Sequence, residues 1–270
     1  METLKSNVES QRDSFNWNAY INNYPDLRKL TTQADAWKHY NTFGKNEGRT
    51  DKYTYKSHPY YTHQPFLKEI LNNTTGNILE CGCGDGSTLF IKDSIKGTGR
   101  KLITLESDVD WLNKYTYLQS ELHQLYPIDA TNDDTDENAK RWVNFIDLNL
   151  KNTTFEVVFI DCSPWLSRKH IFEYFKNKSK IIVIHDFDYF PNKNLIGRTI
   201  FKENLKRKDS NLIYEKIQID MEPNFKLYYP PFEFFVGETG PPTLIFSKVL
   251  SKPEFDNLID IIDKNTPGYY

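Results

Sequence analysis

Residues 53–190 alternate short unbroken apolar runs with longer amphipathic stretches. The runs are Asn77–Cys81, Lys101–Glu106, Phe155–Asp161 and Lys180–His185, and each predicts a strand. Strands apolar on both faces, separated by helical stretches, predict a parallel sheet covered by helices on both sides. Thr131–Lys140 is polar and acidic and reads as a surface loop. Beyond residue 211 the pattern becomes alternating, with strands predicted at Leu212–Ile219 and Thr243–Val249. Between them, Phe225–Pro242 is an aromatic, proline-rich loop suited to a lid or an acceptor wall. Pro253 introduces a last helix, Glu254–Lys264.

The first 52 residues have a different texture. Met1–Ser14 is polar. Trp17, Tyr20, Ile21 and Tyr24 then fall at helical spacing, and Pro25 interrupts the run. Thr32 is placed to cap a second helix carrying Ala36, Trp37, Tyr40 and Phe43, with Gly44 ending it. Two short helices bury little surface, so the module is expected to dock on a neighbour or serve recognition. Tyr24-Pro25-Asp26 and the run from His39-Tyr40 through Phe43-Gly44 to Glu47-Gly48-Arg49 resemble a short repeat seen beside glycosyltransferases and in some secreted bacterial proteins.

Composition narrows the classes. The 270 residues are 38% hydrophobic, enough for a sizeable core, which excludes a disordered or fibrous chain. Thirty-four basic against 37 acidic residues leave a net charge of −3, so no basic field favours nucleic acid as a partner. No apolar run approaches the roughly 18–20 residues of a membrane span, and the N-terminus has no signal-peptide core. Three cysteines within apparent strands suit reduced thiols and a cytoplasmic location, the host cytoplasm for a viral source.

The most informative residues are NILECGCGDGST, Asn77–Thr88. A strand ends at Glu80, glycines stand at 82, 84 and 86, and Ser87 and Thr88 open a helix. Glycines let the backbone turn sharply and approach a ligand closely. A dinucleotide fingerprint spaces its glycines G-x-G-x-x-G and seats a pyrophosphate on the helix. Here the third glycine comes one residue early, and Glu80 two positions before the first glycine would repel a pyrophosphate. The spacing favours a cationic ligand without phosphate.

These residues resemble the first motif of class I S-adenosylmethionine-dependent methyltransferases. That resemblance implies an α/β Rossmann-like fold, a seven-stranded mostly parallel sheet of order 3-2-1-4-5-7-6 with helices on both faces. The methyltransferase domain is expected over residues 53–270, after a helical module at 1–52. S-adenosylmethionine is the implied cofactor. Glu80, Gly82, Cys83, Gly84, Gly86, Ser87 and Thr88 are expected around its methionine part, Glu106 on the ribose hydroxyls, Asp129 and Ala130 at the adenine, and Asp161 beside it.

The acceptor side is expected at the carboxyl ends of the strands. Asp161, Cys162 and Ser163 follow the fourth strand; His185, Asp186 and Asp188 follow the fifth. Two arrangements are open. Without a metal, His185 or Asp161 is a general base, with Asp186 beside it. Alternatively Asp161, His185 and Asp186 hold a divalent cation such as Mg²⁺, as in metal-dependent sugar O-methyltransferases, although a histidine stands where those have an acid. Cys81, Cys83, Cys162 and His185 form a further zinc set, with Cys81 and Cys83 closer than the usual gap. Trp165, Arg168, Tyr189 and Phe190 flank this end, offering rings for a sugar and a guanidinium for an anion. His39, His58, His63, His123 and His170 carry no assigned role. The expected reaction is methyl transfer to an acceptor oxygen, a sugar hydroxyl of a glycan or nucleotide-sugar. The alternatives are a protein or nucleic-acid methyltransferase and a non-catalytic binding protein that keeps the fold.

Overall fold

The computed structural model describes residue 12 and residues 14–133, 135–187, 224–228, 233–235, 238–239 and 241–266. The chain divides into two units, Met1–Thr62 and His63–Tyr270. The sequence pattern places the border after Lys52.

In the first unit, Asn16 accepts the Ala19 N–H at 3.0 Å and so starts α1 (Trp17–Asn23). Thr32 does the same for α2 (Gln33–His39) through the Asp35 N–H at 3.1 Å. The helix widens into a π turn over Tyr40–Gly44 and ends at Gly44, where a Cβ would fall on the Tyr20 hydroxyl. Phe15, Tyr20, Leu27 and Ala36 form the core of the unit. The repeat-like residues close on one another. Arg49 donates to both carboxylate oxygens of Asp26, at 2.9 and 3.1 Å, pairs with Glu47, and lies 4.8 Å over the Tyr24 ring.

The second unit is built on a seven-stranded sheet. Its strands are β1 (Asn77–Cys81), β2 (Leu102–Glu106), β3 (His123–Pro127), β4 (Phe155–Ile160), β5 (Ile181–Ile184), β6 (Phe225–Tyr228) and, after a small hairpin of β7 (Glu233–Phe235) and β8 (Glu238–Thr239), β9 (Thr243–Phe246). The sheet order is β3-β2-β1-β4-β5-β9-β6, with β9 antiparallel to both neighbours. Counted along the chain this is 3-2-1-4-5-7-6, the order of the Rossmann-like class I methyltransferase fold.

Alternation along the strands divides the core. Leu79, Ile103, Val158 and Ile182 pack with Trp142 and Ile146 of α6 (Asp136–Asn149) and with Ile171 and Phe172 of α7 (Trp165–Phe175). Ile78, Leu102, Val157 and Ile181 face the other way. They meet α3 (Gln64–Asn72), α4 (Thr88–Ser94) and α8 (Lys252–Asn265), while the short α5 (Val109–Asn113) follows β2. Each fully buried Leu, Ile or Phe contributes about 1.5–3 kcal/mol of transfer free energy, so the continuous apolar runs are what hold both helix layers.

Three expectations change. Phe225–Tyr228, read as part of a loop, is the edge strand; Tyr228 stacks on Phe66 at 4.4 Å and donates to Asp263 at 2.7 Å, which anchors it. Part of Thr131–Lys140 is helix, because Thr135 caps α6 through the Asn138 N–H. The last strand stops at Phe246 rather than Val249. Leu212–Ile219 lies outside the described residues, as do Asp188, Tyr189 and Phe190.

Candidate functional site

Register brings the candidate residues to one end of the sheet. Cys81 pairs with Ile160, and Ile160 with Ile184, so the next residues, Gly82, Asp161 and His185, leave their strands at the same level. Backbone bonds fix these exits: Asp161 N–H donates to Cys81 at 2.8 Å, His185 N–H to Ile160 at 3.1 Å, and Gly82 N–H to Leu105 at 2.8 Å.

The glycines of the turn do different work. Gly82 has φ +92°, and a Cβ there would fall on the Asp161 carbonyl; this glycine lets two chain segments touch. Among the described residues, a Cβ at Gly84 would meet only Ser87 Oγ, at 3.9 Å. Gly86 offers its carbonyl to Gln64 Nε2 at 2.8 Å and to His63 Nε2 at 3.2 Å.

Glu80 is 0% exposed and faces inward. Its oxygens accept the Thr88 hydroxyl at 3.0 Å and the Thr104 hydroxyl at 2.7 Å, and Thr88 in turn accepts the Gly84 N–H at 2.9 Å. Burial, only partly opposed by these hydroxyls and by Ser87, pushes its carboxyl up to about 7. Glu80 thus sets the shape of the turn from behind. Glu106 ends β2 with its carboxylate on the turn. It accepts the N–H groups of Cys83, Ser107 and Asp108 at 2.7–2.9 Å and the Ser107 hydroxyl at 3.3 Å. Asp129 points away into solvent and pairs with Arg141 at 3.1 Å, while Ala130 packs against the core.

On the acceptor side, His185 Nδ1 lies 3.0 Å from Asp161 Oδ2 and 3.6 Å from Asp186 Oδ1. Asp186 has φ +52°, an uncommon conformation for a residue with a side chain. Burial works against the charge on Asp161, but the His185 ring and the Arg168 guanidinium hold its carboxyl well below the usual range. Burial likewise opposes a charged His185, and the Asp186 and Asp161 carboxylates outweigh it and raise its pKa. Burial raises the Asp186 carboxyl.

Arg168 is an internal strut rather than an anion grip. It is buried, donates to the Cys162 carbonyl at 2.8 Å and the His185 carbonyl at 2.6 Å, and pairs with Asp161 at 3.1 Å. Trp165 covers it at 4.2 Å.

Sequence reasoning passed over His63. It precedes α3 in a polar segment without periodicity, yet its ring lies 4.4 Å from that of His185 and 4.7 Å from Phe159. Burial and the neighbouring His185 depress it to about 3, so it is neutral. His63, Asp161 and His185 are the cluster among the described residues that could hold a metal ion, and Asp186 is not in it. The cysteines form no such cluster there. Burial raises all three thiols. A cavity of about 260 Å³ beside Arg100, Leu102 and His123 sits at the opposite, amino-terminal end of β2 and β3.

No family model matches the chain, and no curated protein matches it. It is similar to several solved structures. One is an O-methyltransferase from Bacillus cereus in complex with S-adenosylhomocysteine: 15% identity, TM-score 0.49, covering 89% of this chain and 100% of that one. Another is the O-methyltransferase TomG from Streptomyces achromogenes, involved in tomaymycin synthesis, with S-adenosylmethionine: 15% identity, TM-score 0.45, covering 75% and 85%. A third is a spermidine synthase in complex with a transition-state analogue: 18% identity, TM-score 0.45, covering 77% and 65%. At such identities and scores none of them assigns an acceptor or a catalytic residue here. Among the described residues no helix is long and apolar enough to cross a membrane.

Proposed function

We propose that this chain transfers the methyl group of S-adenosylmethionine to an acceptor oxygen, and that the acceptor is a sugar hydroxyl of a glycan or nucleotide-sugar. The observation that carries this reading is the open face of Gly84. It stands at the carboxyl ends of the strands, with Glu106 on one side and the Asp161–His185 pair on the other.

Cys83–Ser87 would hold the cofactor's methionine part, since among the described residues only Ser87 Oγ comes within 4 Å of a Cβ at Gly84. Glu106, which accepts only a long bond from the Ser107 hydroxyl beside its backbone donors, would accept the ribose hydroxyls. The backbone at Asp129–Ala130 would hold the adenine end, since the Asp129 side chain is engaged by Arg141. Glu80, Thr88 and Gly82 act indirectly, by holding the turn.

Methyl transfer is an in-line displacement in which the sulfonium carbon is already activated. Bound there, the cofactor would supply an activated methyl and leave as the neutral thioether, and the task of this chain's own residues would be to take the proton of the acceptor oxygen. His185, oriented through Nδ1 by Asp161, takes this proton, and the same carboxylate stabilises the resulting imidazolium. Arg168 keeps both strand exits in place. Support for a sugar comes from Trp165 beside this end and from the resemblance of the N-terminal residues to a repeat found beside glycosyltransferases.

Mg²⁺ fits this site poorly. It takes oxygen ligands, and the set expected for it contains the His185 ring, while Asp186 lies 3.8 Å from the Arg168 guanidinium. Incubation with labelled S-adenosylmethionine and a panel of nucleotide-sugars and glycans tests the function. The expected result is a singly methylated sugar with S-adenosylhomocysteine as by-product. Failure to bind S-adenosylhomocysteine at all would leave only a binding protein with this fold.

A further inference from the structure

His63 has an atom that the methyl-transfer chemistry does not use. Its Nε2 faces the Gly86 carbonyl, an acceptor, so that nitrogen carries the ring proton and Nδ1 keeps a lone pair. The ring is 1% exposed, and Nδ1 has no hydrogen-bond partner among the described residues. A buried acceptor without a partner is costly, and a bound cation would satisfy it. One donor atom from each of His63, Asp161 and His185 lies within 4.8 Å of the others.

We propose that His63, Asp161 and His185 bind a first-row transition-metal dication of the Zn²⁺ class. Two imidazole nitrogens and one carboxylate oxygen form a donor set that prefers Zn²⁺, Co²⁺ or Ni²⁺ to Mg²⁺. His185 Nδ1 and Asp161 Oδ2 are hydrogen-bonded at 3.0 Å, and opening them to the ~3.4 Å of tetrahedral ligands with bonds of ~2.1 Å is a small displacement. Outer contacts already orient the donors. Arg168 holds Asp161 by Oδ1 and leaves Oδ2, and the Gly86 carbonyl fixes the tautomer of His63.

The three residues come from the segment before α3 and from the ends of β4 and β5, so the site exists only in the folded chain. An ion there takes up His185, and ion binding and proton abstraction by His185 exclude each other. The proposal deepens the methyl-transfer reading, and its bearing on turnover rests on that reading, but ion binding is measured without cofactor or acceptor.

The test is titration of Co²⁺ into untagged, metal-free full-length protein, followed by visible absorption and calorimetry, with Zn²⁺ as competitor. We expect one Co²⁺ per chain, a ligand-field spectrum that Zn²⁺ abolishes, and affinity lowered roughly 10–100-fold or more by His63→Gln and by Asp161→Asn. Thermal melting shows that each variant is folded. Absence of Co²⁺ binding, or binding unchanged in both folded variants, overturns the proposal. S-adenosylhomocysteine is titrated separately: its failure to bind would remove the methyl-transfer reading and leave the metal result standing.

Discussion

The Asp26–Arg49 clasp and the glycine turn each gather motif residues, and the two use them differently. In the clasp, Asp26, Glu47 and the Tyr24 ring all face Arg49. These side chains satisfy one another, so this motif acts as a fastening. In the turn, Glu80 and Gly82 are likewise consumed by the fold, but the face of Gly84 and Nδ1 of the nearby His63 are not. Chemistry resides in the atoms that folding leaves over, and a motif's residue types alone do not say which those are.

The largest effect expected is on turnover. His185→Ala should lower it by roughly 10²–10⁴-fold while S-adenosylhomocysteine binding is retained; steady-state kinetics beside calorimetry checks both, and unchanged turnover would remove His185 from the mechanism. Gly82→Ala should cost about 3 kcal/mol or more in denaturant unfolding, because the added carbon meets the Asp161 backbone at a φ suited to glycine.

Glu80 sharpens the contrast through pH. Its folded pKa of about 7 lies above the ordinary 4.5, so the folded state binds the proton more tightly. Its contribution to stability is therefore greatest below pH 4.5 and declines as pH rises to about 7, by on the order of 3 kcal/mol. Glu80→Gln should remove that decline, measured by urea unfolding at a series of pH values. A parallel decline in both proteins would contradict it.

Glu106→Ala should weaken the cofactor by about 1.5–3 kcal/mol, read by calorimetry. The smallest effect belongs to the clasp: Arg49→Ala should lower the melting temperature of the first unit slightly, as exposed pairs do, and leave the intrinsic chemistry of the second untouched.

The sheet was legible because strands buried on both faces must be apolar throughout, as Phe155–Ile160 and Ile181–Ile184 are. The strand Phe225–Tyr228 was not, because the prolines and rings that follow it mask a four-residue run. The pairing of His185 with Asp161 was legible from their places after neighbouring strands. His63 was not, since nothing local marks a residue whose position depends on packing between a helix start and distant strand ends. The orientations of Asp129 and Arg168 also escaped the sequence. Each follows from a partner that only the folded chain supplies, Arg141 in one case and the carbonyls of Cys162 and His185 in the other.

The central claim is that the space over Gly84 receives S-adenosylmethionine. Calorimetric titration of S-adenosylhomocysteine into the wild-type chain and Gly84→Val tests it most directly, since among the described residues a Cβ at that position comes within 4 Å only of Ser87 Oγ. We predict stoichiometric binding to the wild type and none to a variant that melts at the same temperature. No heat with the wild type, or equal binding by the variant, would contradict the account.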